Sequence, residues 1–339
     1  MPPFRDTEAR RRAVSRSYKD LTKHYVRVEG WLPVFERYAR ERRGLVRYLT
    51  LCAKAAIDVR YFRLKGVLAH DPEQNAYPSL TFVERDSQDF AAIAESLGTT
   101  RLGIRGDLEQ VLLLPETCPD QFRALRETFP YDIINLDFQG QVVREHDPPY
   151  SSTIRAIERI IDLQHRAGAR SWHMFLTFRA CPQTSNGEAN DELRGMMERN
   201  LEEPAARTAY GSRPEPGRMI EVQFYEFLRV GVAKFLASRA ADLGYQMDLE
   251  HSYFYERPPR GGLHYRIVKL IARFNTIRRA RSLPNPHAMM AAYQASVPAI
   301  FRSEGIDVGA RLQNPAEEER IRNELRPVLE ELEREGIQE

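Results

Sequence analysis

With 339 residues the chain can hold one large domain or two, and 42% hydrophobic residues suffice for a substantial core. A charged content of 29% and a mean hydropathy of -0.53 describe a soluble chain. No apolar run reaches the roughly 18 to 20 residues of a membrane span, and the Arg-rich stretch Met1 to Arg16 lacks the apolar centre of a secretory leader. Cys52, Cys118 and Cys181 are far apart and odd in number, which argues against a disulfide framework and a zinc site and sets a reducing cytoplasm as the expected compartment.

The net charge is +2, but it is unevenly spread. Arg5, Arg10, Arg11, Arg12, Arg16, Lys19, Lys23 and Arg27 crowd the start, and the stretch from Glu317 to Glu339 is acidic. Residues 7–43 read as helical, with Tyr18, Leu21, Tyr25, Val28, Leu32, Phe35 and Tyr38 at three- and four-residue steps and Pro33 as an expected break. A strand follows over 45–52, then the small-residue run Ala53 to Ala56 and a helix over 57–67. The second strand covers 79–86 and the third 101–107, with a helix at 90–97 between them. The fourth, Tyr131 to Asp137, is an apolar run that surfaces at Asn135-Leu136-Asp137-Phe138. Ser151, Ser152 and Thr153 read as a helix cap, and Ile154, Ile157, Ile160 and Ile161 line one face of that helix. The fifth strand is 171–178. Residues 182–218 look like an insertion or lid, and 220–243 like one long helix. Two strands, 251–256 and 263–274, form a hairpin. The remainder, 285–335, reads as helical, broken at Pro298 and Pro327.

Five strands alternating with helices, then a hairpin, give a Rossmann-like α/β fold with a mostly parallel sheet and an antiparallel terminal hairpin. The expected organisation is a basic helical segment over 1–43, an α/β domain over 44–275 carrying the insertion, and a helical segment over 276–339. In open sheets of this kind ligands bind at the C-terminal ends of the strands.

This order resembles the class I S-adenosylmethionine-dependent methyltransferase fold, with its seven-stranded sheet and antiparallel last strand. The resemblance implies S-adenosylmethionine as cofactor. It implies that Glu84, ending the second strand, holds the ribose hydroxyls, and that Asp107 and the backbone N–H of Leu108 meet the adenine. Thr50 and Cys52 stand where the family's acid precedes its glycines. The loop there, Cys52-Ala53-Lys54-Ala55-Ala56-Ile57-Asp58, is small but has no glycine, a degenerate form of the family's glycine-rich turn. Asn135, Asp137 and Phe138 fall where amino-methylating members position the acceptor amine and stack on its base, here without the family's prolines. Each acid also has a plainer reading, Asp107 as a helix N-cap and Glu84 as a surface acid.

The aromatics Tyr253, Phe254 and Tyr255 with Arg257 and Arg260, and the cations Lys269, Arg273, Arg278, Arg279 and Arg281, could stack on and neutralise nucleic acid. Hairpin alternation explains them equally simply. The histidines show no metal spacing, and no P-loop exists. Two functions compete. One is a methyltransferase acting on a nucleic-acid base. The other is a non-catalytic scaffold subunit of a nucleic-acid-associated complex, with the terminal helices docking a protein partner. An open channel bounded by Glu84 and Asp107 favours the first, and side chains filling the cleft near residues 50–58 favour the second.

Overall fold

Short β-branched and aromatic runs, separated by amphipathic helical stretches, build a sheet covered by helices on both faces. The computed structural model describes residues 20–43, 45–142, 152–260, 263–277 and 286–336. The strands are β1 Tyr48–Leu51, β2 Ala76–Glu84, β3 Thr99–Arg105, β4 Ile133–Gln141, β5 Ser171–Ala180, β6 Tyr245–Arg260, β7 Leu263–Thr276 and β8 Ile306–Asp307. Helix α1 Leu21–Val26 runs through a π-turn, Arg27–Trp31, into α2 Leu32–Glu41. The others are α3 Ile57–Leu64, α4 Ser87–Leu97, α5 Leu108–Leu113, α6 Pro119–Thr128, α7 Ser152–Arg166, α8 Gly187–Leu201, α9 Pro204–Tyr210, α10 Pro216–Val222, α11 Phe224–Asp242, α12 Pro286–Arg302, α13 Val308–Arg311 and α14 Pro315–Arg334.

The strands form one sheet in the order β3-β2-β1-β4-β5-β7-β6-β8. The first five pair in parallel, β7 lies antiparallel between β5 and β6, and β8 adds a two-residue edge too short for a sequence signal. Since β1, β2 and β3 step outward and β4 returns beside β1, the chain reverses direction at the β1–β4 boundary. That boundary is the switch point where open sheets place their ligands.

Period-two alternation divides the core. Tyr48, Phe82, Ile133, Phe175 and Ile271 pack under α1, the π-turn, α2, α3, α4 and α14. Leu49, Val83, Ile134, Leu136, Phe138 and Leu270 pack under α5 to α12. The N-terminal helix sits very close to the sheet: a β-carbon on Gly30 would stand 2.7 Å from Ile271 Cδ1 and 3.0 Å from Tyr253 Cε2. The C-terminal helix is anchored by Arg60, a fully buried guanidinium of α3 that reaches Glu331 of α14 and Glu335, its C-cap.

Several local expectations differ from the structure. Pro33 lies just past the π-turn Arg27–Trp31, where the backbone hydrogen-bond register already changes, and the helix continues through it. Pro298 and Pro327 lie inside α12 and α14, where burial of Val297, Ile300 and Phe301, and of Leu325, Val328 and Leu332, outweighs one lost backbone bond each. The long helix expected over 220–243 is two helices that part at Gln223, whose φ of -144° is not helical. The stretch 7–19, the Ser151 cap and the cations Arg278, Arg279 and Arg281 lie outside the described residues.

Candidate functional site at the β1–β4 crevice

β4 does not surface at Asn135. It continues to Gln141, so Asn135 to Phe138 are strand residues and successive side chains point to opposite faces. Asn135 and Asp137 face the N-terminal helices. Phe138, expected to stack on a base beside Asp137, is buried in the core of the other face and shares no cleft with it.

Above β1 and β4 lies a cavity of about 40 Å³, lined by Lys23, Arg27 and Trp31 from the N-terminal helix, by the loop and first turn Ala53 to Asp58, and by Asn135 and Asp137. Lys23 Nζ donates to Asp137 Oδ2 at 3.3 Å. The Trp31 ring stacks on Phe175, centroids 5.2 Å apart and 2° between planes. Asp20 ties the start of α1 to Arg257 of β6. Burial alone would raise the Asp137 carboxyl, but Lys23, Lys269 and Arg27 outweigh it and hold its pKa well below the usual carboxylate range. Asp137 is therefore a fixed anion under a cationic cover.

The residues expected to hold the methionine end of a cofactor serve a different local purpose. Thr50 is fully buried and donates to Asp58 Oδ2 at 3.0 Å. Tyr48 donates to the same oxygen at 2.6 Å, and Asn135 Nδ2 donates to the Tyr48 hydroxyl at 3.0 Å. This buried cluster ties β1, β4 and α3 together beneath the cavity. Cys52 is also buried, and burial pushes its thiol well above its ordinary pKa, so it is an inert thiol. The glycine-free loop still makes the turn a glycine would make: Ala56 has φ 45° and occupies the N-cap of α3.

Glu84 ends β2, as expected, and accepts from the Asp86 backbone N–H at 2.8 Å. Burial raises its carboxyl. Asp107 is the N-cap of α5, accepting from Glu109 N at 2.8 Å and Gln110 N at 3.3 Å, and Leu108 is buried behind it. Neither acid lines the cavity. Sites for cofactor-sized ligands hold roughly 300 to 1,000 Å³. With Lys23, Arg27 and Trp31 over the crevice, 40 Å³ is far too little for S-adenosylmethionine. The residues present do not fit that cofactor in this conformation.

Three residues of the site had only weak sequence signals. Lys23 and Arg27 were visible only as part of a basic stretch, and Trp31 only as one of two tryptophans. Lys269 had a better one, a lone cation inside the apolar run Ile267 to Ile271. It is almost fully buried on β7, donates to Thr177 Oγ1 at 3.1 Å, and holds its ammonium 4.8 Å from the Trp31 ring centroid. Register explains the grouping: Asp137 pairs with Thr177, and Thr177 with Lys269, across adjacent strands. Burial pulls the Lys269 pKa down to about 7.

At the same edge of the sheet a wider groove of about 250 Å³ separates the hairpin from the start of α11. Tyr225, Tyr265, His264, Arg257, Arg266 and Glu256 line it, with Arg266 paired to Glu256 and Arg257 to Asp20. Tyr253 and Tyr255, expected on a stacking surface, are buried under the N-terminal helix, because alternation along β6 turns them inward. The Arg266 guanidinium lies 4.2 Å from the Tyr225 ring centroid, and that of Arg179 lies 5.0 Å from Tyr265.

A mostly parallel sheet with one antiparallel strand inserted before its last long strand, and a crevice at the switch point, define a methyltransferase-like α/β fold. The chain belongs to the PP_RS20740-like family, whose model matches residues 114–297. That span covers β4 to β7, including Asn135, Asp137 and Lys269, and stops short of β1, β2 and β3. No curated protein matches the sequence. Among solved structures the chain is similar to a Pyrococcus horikoshii protein assigned as an RNA methyltransferase, PH1948 (13% identity, 73% of this chain and 82% of that one, TM-score 0.32). It is also similar to M. jannaschii TYW2 in complex with AdoMet (10% identity, 72% and 77%, TM-score 0.29). Superpositions this loose carry no argument, and the fold assignment stands on the strand order.

Proposed function

We propose that this chain is a non-catalytic, methyltransferase-fold subunit that associates with nucleic acid. The observation that carries the reading is the closed crevice: Lys23, Arg27 and Trp31 fill the switch point, and Asp137 is spent on Lys23. An acceptor-positioning carboxylate has to be free to take a substrate proton or hydrogen bond. The nucleic-acid part of the reading is supported by the basic N-terminal sequence and by the groove beside the hairpin, which the aromatics Tyr225 and Tyr265 line together with Arg257, Arg266 and the acid Glu256. A protein partner would dock on the outer face of α14, where Glu318, Glu319, Arg322 and Arg326 are solvated.

The second reading is an S-adenosylmethionine-dependent methyltransferase acting on a nucleic-acid base, held closed by its own N-terminal helix. Glu84 and Asp107 at adjacent strand ends, and the left-handed turn at Ala56, favour it. Here Thr50, Cys52, Glu84, Asp107 and Leu108 would surround the cofactor and Asn135 and Asp137 the acceptor, once α1 and the π-turn had moved. Fluorescence anisotropy with labelled single-stranded and duplex oligonucleotides, from about 50 to about 200 mM salt, tests the association. A parallel assay with methyl-labelled S-adenosylmethionine tests transfer. Salt-sensitive binding without methyl transfer is expected. Transfer to the oligonucleotide, or no binding at the lower salt, overturns the proposal.

A further inference from the structure

The groove between the hairpin and the start of α11 differs in chemistry from the closed crevice. It holds about 250 Å³, and Ala180, Pro182, Val222, Phe224, Tyr225 and Tyr265 give it apolar and aromatic walls. Val222 is 55% exposed, so the groove is open to solvent on that side. Its cations are matched: Arg266 pairs with Glu256 at 2.7 Å, and Arg257 pairs with Asp20. A free anion therefore gains little inside it, and a neutral planar ring gains most.

The lining is equipped to hold such a ring. The Arg266 guanidinium is kept in the wall by Tyr225 and Phe254, 4.2 Å and 5.5 Å from their ring centroids. Tyr265 carries Arg179 at 5.0 Å, and no aromatic ring among the described residues packs on it. Gln223 is the N-cap of α11, but its side chain makes no capping hydrogen bond and lines the groove. An amide offers both a donor and an acceptor to the edge of a ring. Proteins hold an unstacked nucleobase by these means, with aromatic or guanidinium planes on its face and hydrogen-bonding groups at its edge.

A second observation concerns the rim. Arg257, in the lining, is tied to Asp20, the first described residue. Residues 5–19, which precede it in the chain, carry Arg5, Arg10, Arg11, Arg12, Arg16 and Lys19 against Asp6 and Glu8. This basic stretch therefore joins the described structure at the rim of a groove that is itself balanced in charge. A polymer of regularly spaced anions and neutral aromatic rings complements both parts. A duplex keeps its rings paired and stacked and presents only their edges, so it cannot fill the groove.

We propose, on the nucleic-acid reading above, that the groove takes one unpaired base of a single strand, with Tyr265 and Arg266 stacking on the ring, while the basic stretch before Asp20 neutralises the neighbouring phosphates. Preference for single strands then resides in the groove, and salt dependence in the stretch.

Fluorescence anisotropy with three labelled ligands separates the two contributions. The ligands are an oligothymidylate of about 12 nucleotides, a strand of equal length built only of abasic spacers, and the oligothymidylate paired with oligoadenylate. The full wild-type chain should bind the base-bearing strand about tenfold more tightly than the abasic one. That ratio should persist from about 50 to about 200 mM salt, although both affinities fall. Tyr265→Ala should bring the ratio close to one and leave the duplex affinity unchanged, and Tyr265→Phe should preserve the ratio. If Tyr265→Ala does not melt cooperatively, the wild-type ratio decides alone. Equal affinity for the base-bearing and abasic strands means that the cations alone hold the polymer and that the groove serves another occupant, such as an aromatic side chain of a protein. That result overturns the proposal and leaves the nucleic-acid association standing, as does a folded Tyr265→Ala that keeps the ratio. No binding of any strand at the lower salt overturns both.

Discussion

Asp137→Asn is the most informative single substitution. It is nearly isosteric and removes one negative charge facing Lys23, with Arg27 and Lys269 close behind. At the observed 3.3 Å separation, two unit charges attract by about 5 kcal/mol at an effective dielectric near 20 and by about 1 kcal/mol in bulk water. Lys23 and Asp137 keep 20% and 23% of their side chains exposed, so the pair is partly screened. The expected loss is about 1–3 kcal/mol at neutral pH. The pH dependence has a definite sign. The folded-state carboxyl is depressed relative to the unfolded value of about 3.9, so its contribution is fully present above about pH 4 and fades as pH falls towards the folded value. Urea denaturation of wild type and Asp137→Asn should give a gap that is at least as large at pH 5, where Lys269 is fully protonated, as at pH 7, and that narrows below about pH 4. A gap under about 0.5 kcal/mol at both pH 7 and pH 5, or one that widens below about pH 4, would refute the view that Asp137 is the anchor of the N-terminal cover.

Other substitutions probe the same framework. Gly30→Ala puts a methyl into Ile271 and Tyr253 and should cost about 1–3 kcal/mol by overpacking, read as a lower urea midpoint with an unchanged m-value. Glu226→Ala leaves the fully buried Arg229 without the carboxylate whose oxygens accept from it at 2.6 Å each, and should cost about 3–5 kcal/mol by the same assay. Glu250→Gln should cost about 1–2 kcal/mol at neutral pH. Burial would raise the Glu250 carboxyl, but His173 and Arg37 hold it at about 2, so that cost should disappear as pH falls from about 4.5 towards that value. Asp107→Ala should cost about 1 kcal/mol as a lost helix cap, and Asp107→Asn almost nothing, because Asn caps equally well.

The fold was legible because its signals are local. Alternating apolar runs, caps and stop glycines mark strands and helices, and the βα alternation followed by a hairpin implies a mostly parallel sheet with antiparallel pairing at the hairpin. The site was only half legible. Asn135 and Asp137 were placed at the crevice because a buried parallel strand points its C-terminal half there. Phe138 was grouped with them because the end of β4 was set four residues early, and one residue reverses the face. The cover over the crevice depends on contacts between residues more than a hundred positions apart, such as Lys23 with Asp137 and Trp31 with Phe175. No periodicity in either segment encodes that pairing. Lys269 was expected with Arg273 on a nucleic-acid-binding surface and is buried instead; its place amid Ile267, Val268, Leu270 and Ile271 is the signal that should have turned it inward and called for a partner.

Lys23, Arg27 and Trp31 of the N-terminal helix and π-turn leave about 40 Å³ at the switch-point crevice, too little for S-adenosylmethionine. Calorimetric titration of the purified full chain with S-adenosylmethionine tests this closure most directly. No saturable heat is expected up to about millimolar cofactor, for wild type and Glu84→Ala alike. A saturable isotherm in the micromolar range, abolished by Glu84→Ala in a variant that melts normally, would contradict it and restore the methyltransferase reading.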